Sequence, residues 1–143
     1  MQKKDCMVSV VIPNYNGMQY IERCLESLKR QSFQEFETIF VDNGSEDGSV
    51  AYVRERFPWV RLICLAENTG FCGAVNVGIR ESRGEYVVLL NNDTEAEAEF
   101  LKALYDGIRA KENAFSCAAL MLQFQERELV DDAGNFYNAL GWA

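Results

Sequence analysis

Three small polar side chains in succession, Asn91-Asn92-Asp93, end an apolar run that reads Tyr86-Val87-Val88-Leu89-Leu90. Asp93 supplies a hard carboxylate oxygen and its two neighbours supply carboxamides, so the chemistry on offer is a divalent ion resting on a phosphate. Asn and Asp are also favoured in turns for backbone reasons alone, and a strand that simply ends in a turn would use the same residues. Two further polar loops carry similar material, Pro13 to Gly17 and Asp42 to Ser49. Asp42 can accept hydrogen bonds from a ribose or base, or serve as a turn residue. Tyr15 can offer a flat face to a base, or pack against the protein. Ser49 or Asp47 can cap a following helix.

Several other chemistries are excluded by what is missing. The chain contains no histidine, which removes His-dependent zinc sites and the Ser-His-Asp and Cys-His constellations. Asn14-Tyr15-Asn16-Gly17 stands after the first apolar run where a dinucleotide fingerprint Gly-x-Gly-x-x-Gly would stand, and no Gly-Lys-Ser/Thr phosphate loop occurs. In the Asp42 loop the glycines Gly44 and Gly48 are misplaced for a calcium loop, and Val53 holds the position of its bidentate Glu.

The polar loops need strands to end at them. Val8 to Ile12 is rich in β-branched residues and predicts a first strand stopping at Pro13. Ile21, Leu25 and Leu28 recur at helical spacing within an amphipathic helix over 19–31. Phe36 to Val41 predicts a second strand, a short helix then runs towards Phe57, and Val60 to Leu65 predicts a third strand. A helix follows in which Phe71, Val75, Gly78 and Ile79 share a face. Gly84 then stands where that helix can stop. The continuous apolar run at 86–90 predicts a strand with few solvent-facing positions, as in a sheet covered on both faces. A helix over 98–111 and a strand over 115–122 complete the alternation, which favours an α/β sandwich around a parallel sheet. In such a sheet all three polar loops emerge on one edge and can converge on one ligand.

The 143 residues suit one domain with a real core, at 48% hydrophobic content. A formal charge of -8 argues against a broad nucleic-acid face, which needs clustered Lys and Arg. The five cysteines are scattered and unpaired in sequence, and read as reduced thiols serving as small core residues of a cytosolic protein. No stretch approaches the roughly 20 apolar residues that cross a bilayer, which leaves docking at a membrane open.

At this point the residues carry a resemblance. Val8 to Asn16, then Val41-Asp42-Asn43-Gly44-Ser45 with Asp47-Gly48-Ser49, then Asn68-Thr69-Gly70-Phe71 with Asn76 and Gly78, and Leu89 to Asp93 resemble the ordered motifs of family 2 glycosyltransferases. The match covers the first two thirds of the chain. It implies a GT-A fold, a Rossmann-like three-layer α/β/α sandwich with a mostly parallel sheet, whose amino-terminal part binds a nucleotide-diphosphate sugar carried on UDP, dTDP or GDP. By the same resemblance Pro13, Asn14, Tyr15, Asp42, Asn68, Asn91 and Asn92 are nucleotide-binding residues. Asp93 is then the residue for a Mg or Mn ion. Asn91 departs from the family's Asp-x-Asp pattern and leaves Asp93 as its only carboxylate. This Asn-Asn-Asp form is similar to that of rhamnosyltransferase-like members.

The resemblance further implies transfer of the sugar with inversion to an acceptor hydroxyl of a glycan or lipid-linked molecule, in bacterial polysaccharide or glycoconjugate synthesis, in the cytoplasm or at the inner face of the membrane. A carboxylate general base would lie downstream, in an acceptor half. Asp131 and Asp132, set in Asp-Asp-Ala-Gly, read more simply as a turn, which places the base beyond residue 143. Phe136, Tyr137, Leu140 and Trp142 close the chain with no polar tail, and residues 1–143 are expected to be the donor-binding domain of a longer protein. A nucleotidyltransferase would show a Gly-rich basic loop after the first strand, and Pro13 to Gly17 holds no Lys or Arg. A binding or interaction domain without transfer chemistry is the other reading.

Overall fold

A computed structural model describes residues 6–132. The chain divides into two compact units, Met1–Leu101 and Lys102–Ala143. In the first unit strands β1 (Val8–Asn14), β2 (Phe36–Asp42), β3 (Arg61–Cys64) and β4 (Tyr86–Leu89) alternate with helices α1 (Met18–Lys29), α2 (Ser49–Arg56) and α3 (Gly70–Glu81). The sheet order is β3-β2-β1-β4 and every pairing in it is parallel. Helix α4 (Phe100–Arg109) crosses the boundary between units. In the second unit β5 (Met121–Leu122) pairs antiparallel with β6 (Val130–Asp132).

The core sits under β1 and β2. Val8 to Ile12 are all buried, and since alternate side chains of a strand point to opposite faces, both faces of β1 are covered. On one face Val11, Ile39, Val41 and Ala74 cluster, with Ile63, Leu65 and Val77 packed around them. The other is closed as well, because Val10, Ile12 and Phe40 are fully buried. Each such side chain contributes about 1.5–3 kcal/mol relative to an exposed one.

Four sequence expectations change. First, β1 does not stop at Pro13 but runs through it to Asn14. Leu90 N–H donates to Val11 C=O on the β4 side, and β4 pairs no further than Val11. The nitrogen of Pro13 faces the same side beyond the end of β4, where no ladder bond is lost. Second, the doubly covered strands are β1 and β2, not β4. Lying at the sheet edge, β4 leaves Val87 and Leu89 exposed. Third, the buried face of α3 is Ala74, Val75 and Gly78, while Phe71 and Ile79 are exposed. Fourth, the strand expected over 115–122 shrinks to Met121–Leu122, with Phe115 fully exposed, and Asp131 lies in β6 rather than in a turn.

The cysteines also divide. All five are free thiols, but only Cys6 and Cys24 are buried core residues, and Cys64, Cys72 and Cys117 are exposed. Phe136, Tyr137, Leu140 and Trp142 lie outside the described residues.

Candidate functional site

Parallel pairing puts the carboxyl ends of β1, β2 and β4 on one sheet edge, and register sets Asn14 directly beside Asp42. The Asn14 carboxamide then ties all three loops together. Its Nδ2 donates to Asp42 Oδ1 at 2.9 Å and to Ser45 Oγ at 3.1 Å, and its Oδ1 accepts from Asn92 Nδ2 at 2.6 Å. The second oxygen of Asp42 accepts from the Ser45 backbone N–H at 2.9 Å. Asp42 is 1% exposed and Asn14 2%. Gly17 makes this closeness possible, since a Cβ there would stand 2.1 Å from Asn92 Nδ2 and 2.5 Å from Asn14 Oδ1.

Further bonds stitch the first two loops. Asn16 adopts a left-handed conformation, φ 50, which Asn tolerates better than most residues. From there its Oδ1 accepts from the Glu46 N–H and its own N–H donates to Ser45 Oγ, both at 2.9 Å. Asp47 accepts from the backbone N–H of Met18 at 2.8 Å and of Ser49 at 3.0 Å, and also from the Ser49 hydroxyl. These are the first residues of α1 and α2, so one carboxylate serves both helix starts. Burial alone would raise its pKa, but the bonds from Ser49 and Met18 outweigh this and hold it below the ordinary 3.8.

The β2 loop is fastened to the start of α3 by Asn43. Its Nδ2 donates to Asn68 Oδ1 at 2.9 Å and to Gly70 C=O at 3.1 Å, and its Oδ1 accepts from the N–H and hydroxyl of Thr69. Gly44 passes beside this loop at φ +79, with the Glu67 backbone 3.0 Å from where a Cβ would be. Neither side-chain branching nor an ordinary L conformation fits there.

Together these loops enclose a cavity of about 360 Å³ lined by Pro13, Asn14, Tyr15, Asn43, Asn68, Gly70, Phe71, Asn91, Asn92 and Asp93. The volume lies within the roughly 300–1,000 Å³ of small-ligand sites. Tyr15 and Phe71 present exposed aromatic rings to it. Among the described lining residues Asp93 is the one acidic side chain, and none is Lys or Arg. Its carboxylate is exposed and makes no hydrogen bond or ion pair with a described residue; the Asn91 side chain is equally open. Beneath them lies the buried Cys24 thiol, which burial and the Asp93 charge push up to about 12.

Of the residues expected from sequence, Pro13, Asn14, Tyr15, Asn68, Asn91, Asn92 and Asp93 meet at this cavity. Asp42 does not line it; it is enclosed behind Asn14 with both oxygens engaged. Asn43, Gly70 and Phe71 line it and were not among the individual site candidates. Asn43 adjoins Asp42 in sequence, but only the paired loop shows that the second of the two faces the cavity. Phe71, expected to share a face of α3 with Val75, Gly78 and Ile79, is exposed at the cavity instead.

For a divalent ion the donor set is one free carboxylate and the Asn91 carboxamide. Both are hard oxygen donors that suit Mg or Mn. No group of three or more His, Cys, Asp or Glu capable of holding a metal occurs among the described residues. The set would fit an ion that takes most of its ligands from outside the protein, as Mg commonly does.

The model of Glycosyl transferase family 2 matches residues 9–141. The chain belongs to glycosyltransferase family 2. Glycosyltransferase GlyG of Streptococcus pneumoniae serotype 4 is 31% identical to it, over 92% of this chain and 40% of that protein. Among solved structures, S. aureus TarS 1-349 in complex with UDP-GlcNAc is 31% identical with a TM-score of 0.62, covering 72% of this chain and 32% of that one. The mannosyltransferase PcManGT of Pyrobaculum calidifontis, in complex with GDP-Man and Mn2+, is 32% identical with a TM-score of 0.56, covering 62% and 28%. The family 2 chain has the GT-A fold of these neighbours, a parallel sheet flanked by helices. It spans 40% and 20% of the length of the first two curated relatives. No described helix is long and apolar enough to cross a membrane.

Proposed function

We propose that residues 1–143 are the donor-binding domain of a longer inverting glycosyltransferase, holding a nucleotide-diphosphate sugar for transfer to an acceptor hydroxyl. The observation that carries this reading is the cavity at the carboxyl edge of the sheet, with the Asp93 carboxylate open inside it and no cationic side chain among its described lining residues. A diphosphate lying there would meet no described Lys or Arg, and Asp93 would hold a Mg or Mn ion that could supply the opposite charge. Tyr15 and Phe71 offer ring faces to the base, while Asn68 and Asn91 offer carboxamides to ribose and phosphate. Asn14 lines the cavity while tying the loops together, and Asp42 braces it from behind. The ligands named with the neighbours, UDP-GlcNAc and GDP-Man with Mn2+, support the class of donor.

The general base is assigned to the part of the protein beyond residue 143. Transfer of a hexosyl or deoxyhexosyl group to a glycan or lipid-linked acceptor, at the cytoplasmic face of a membrane during polysaccharide synthesis, completes the reading. The Asn-Asn-Asp form puts dTDP-rhamnose among the donors to try. Titration with UDP, dTDP and GDP and their sugars, with and without Mg or Mn, tests it. Binding of one nucleotide that tightens with metal, and loses that tightening in Asp93→Ala, is the expected result. No binding of any nucleotide would sink the donor-domain reading.

A further inference from the structure

Asp93 lies in a stretch without regular secondary structure, between the end of β4 and the start of α4. Something must fix this backbone if its carboxylate is to stand ready over the cavity. The side of α1 turned towards it is chemically unusual. Cys24, Ser27 and Gln31 recur at spacings of three and four, the first two on α1 and the third just past its end, and place polar atoms where an amphipathic helix ordinarily buries only apolar ones. Cys24 and Ser27 are 0% exposed and Gln31 2%. Burying such groups is costly unless each finds a partner.

Four of the six partner groups lie in the backbone of residues 91–101 and the other two are carbonyls of α1. Cys24 Sγ donates to Asn91 C=O at 3.7 Å. Ser27 Oγ accepts from Ala96 N–H at 3.0 Å while donating to Cys24 C=O at 2.6 Å. Gln31 Nε2 donates to Glu97 C=O at 2.7 Å and to Ser27 C=O at 3.2 Å, and its Oε1 accepts from Leu101 N–H at 2.9 Å. The Ser32 N–H adds a bond to Ala98 C=O at 2.9 Å. The stripe thus grips the segment from behind at several points along its length. In front, the Asn91 and Asp93 side chains carry no such bonds.

We infer that Cys24, Ser27 and Gln31 are positioning residues for the metal corner: they fix the backbone of 91–101 from inside the core so that the Asp93 carboxylate is presented to the cavity without being consumed by the protein. Resting on the donor-site reading above, the inference adds that the metal-dependent part of nucleotide binding is set by side chains that touch neither metal nor nucleotide. Because the grip acts largely through backbone groups, it leaves the Asn91 and Asp93 side chains open to a ligand.

The test measures dissociation constants of the chain for UDP, dTDP or GDP, whichever the wild type binds, with and without Mn2+. In Ser27→Ala and Gln31→Met the Mn2+-dependent tightening is expected to fall about tenfold, the lower end for partners standing behind a metal ligand, and metal-free binding to fall by less. Cys24→Ser, which keeps a donor for Asn91 C=O, should retain more of the tightening than Cys24→Ala. A purely structural stripe would lower thermal stability and leave the tightening intact, and that result in folded variants overturns the proposal. If Ser27→Ala or Gln31→Met fails to fold, the Cys24 pair decides, equal tightening in Ser and Ala counting against it. Should the wild type bind no nucleotide, the donor reading falls separately. Amide hydrogen exchange at Ala96 and Leu101 then decides the grip: faster exchange in Ser27→Ala and Gln31→Met supports it, and unchanged exchange overturns it.

Discussion

At the β1–β2 corner of the cleft nearly every polar group is already paired, whereas at the β4 corner the Asn91 and Asp93 side chains stand open. Asp42 spends both oxygens on Asn14 and Ser45, and Asn43 spends its whole carboxamide on Asn68, Thr69 and Gly70. The difference separates two jobs that look alike in sequence. Satisfied groups hold loops in place, because an unpaired buried polar atom is expensive. Unsatisfied exposed groups are what a ligand or ion can still engage. Two aspartates at two strand ends therefore differ, Asp42 enclosed and bonded and Asp93 open; on the function proposed above the first is a brace and the second a contact.

Substituting those aspartates strains the contrast hardest. Asp42→Ala removes the acceptor for one buried and one partly buried bond and is expected to cost about 3 kcal/mol, towards the upper end for a buried acceptor lost. Urea denaturation reads this, and nucleotide binding should weaken with and without metal alike. A variant as stable as the wild type would erase the distinction between brace and contact. Gly17→Ala pushes a Cβ into the Asn14–Asn92 contact, a side-chain link between the two corners. Loss of that bond should cost about 1 kcal/mol by the same measurement. If stability and nucleotide affinity both stay unchanged, the corners are independent.

The Asp47 brace can be sharpened by pH. Its folded pKa lies below the ordinary 3.8, so the stabilisation is complete above that value and is lost as pH falls through the lower folded value. The stability difference between wild type and Asp47→Ala should be constant near neutral pH and shrink below about pH 3.8. A difference that persists into strong acid would mean that the bonds to Met18 and Ser49 do not depend on the charge. Smallest in stability is Asp93→Ala, expected within about 0.5 kcal/mol as for an exposed, unpartnered side chain, although it should abolish the metal-dependent part of binding. A large loss of stability would move Asp93 to the bracing side.

Much of the frame was legible in the residues. The β-branched runs, the helical repeat of Ile21, Leu25 and Leu28, and the polar loops at strand ends give the alternating α/β order, because periodicity is a local property. The misreadings concern partners distant in sequence. Whether Pro13 ends a strand depends on how far β4 reaches, and whether Phe71 is core or cavity wall depends on which face of α3 meets the sheet. Val87 and Leu89 read as buried because an apolar run carries no mark of lying at a sheet edge.

By itself the sequence determined the element order, the family motifs and the residue types that meet at one sheet edge. Tertiary structure alone decided which polar groups are spent and which are free. Asn14, Asp42 and Asn92 are far apart along the chain, and their pairing arises only when parallel register sets β1 beside β2 and β4. The physical reason is that hydrogen-bond satisfaction is a property of a group's neighbours in space. An aspartate enclosed by two donors and an aspartate facing a cavity are the same letter in the sequence.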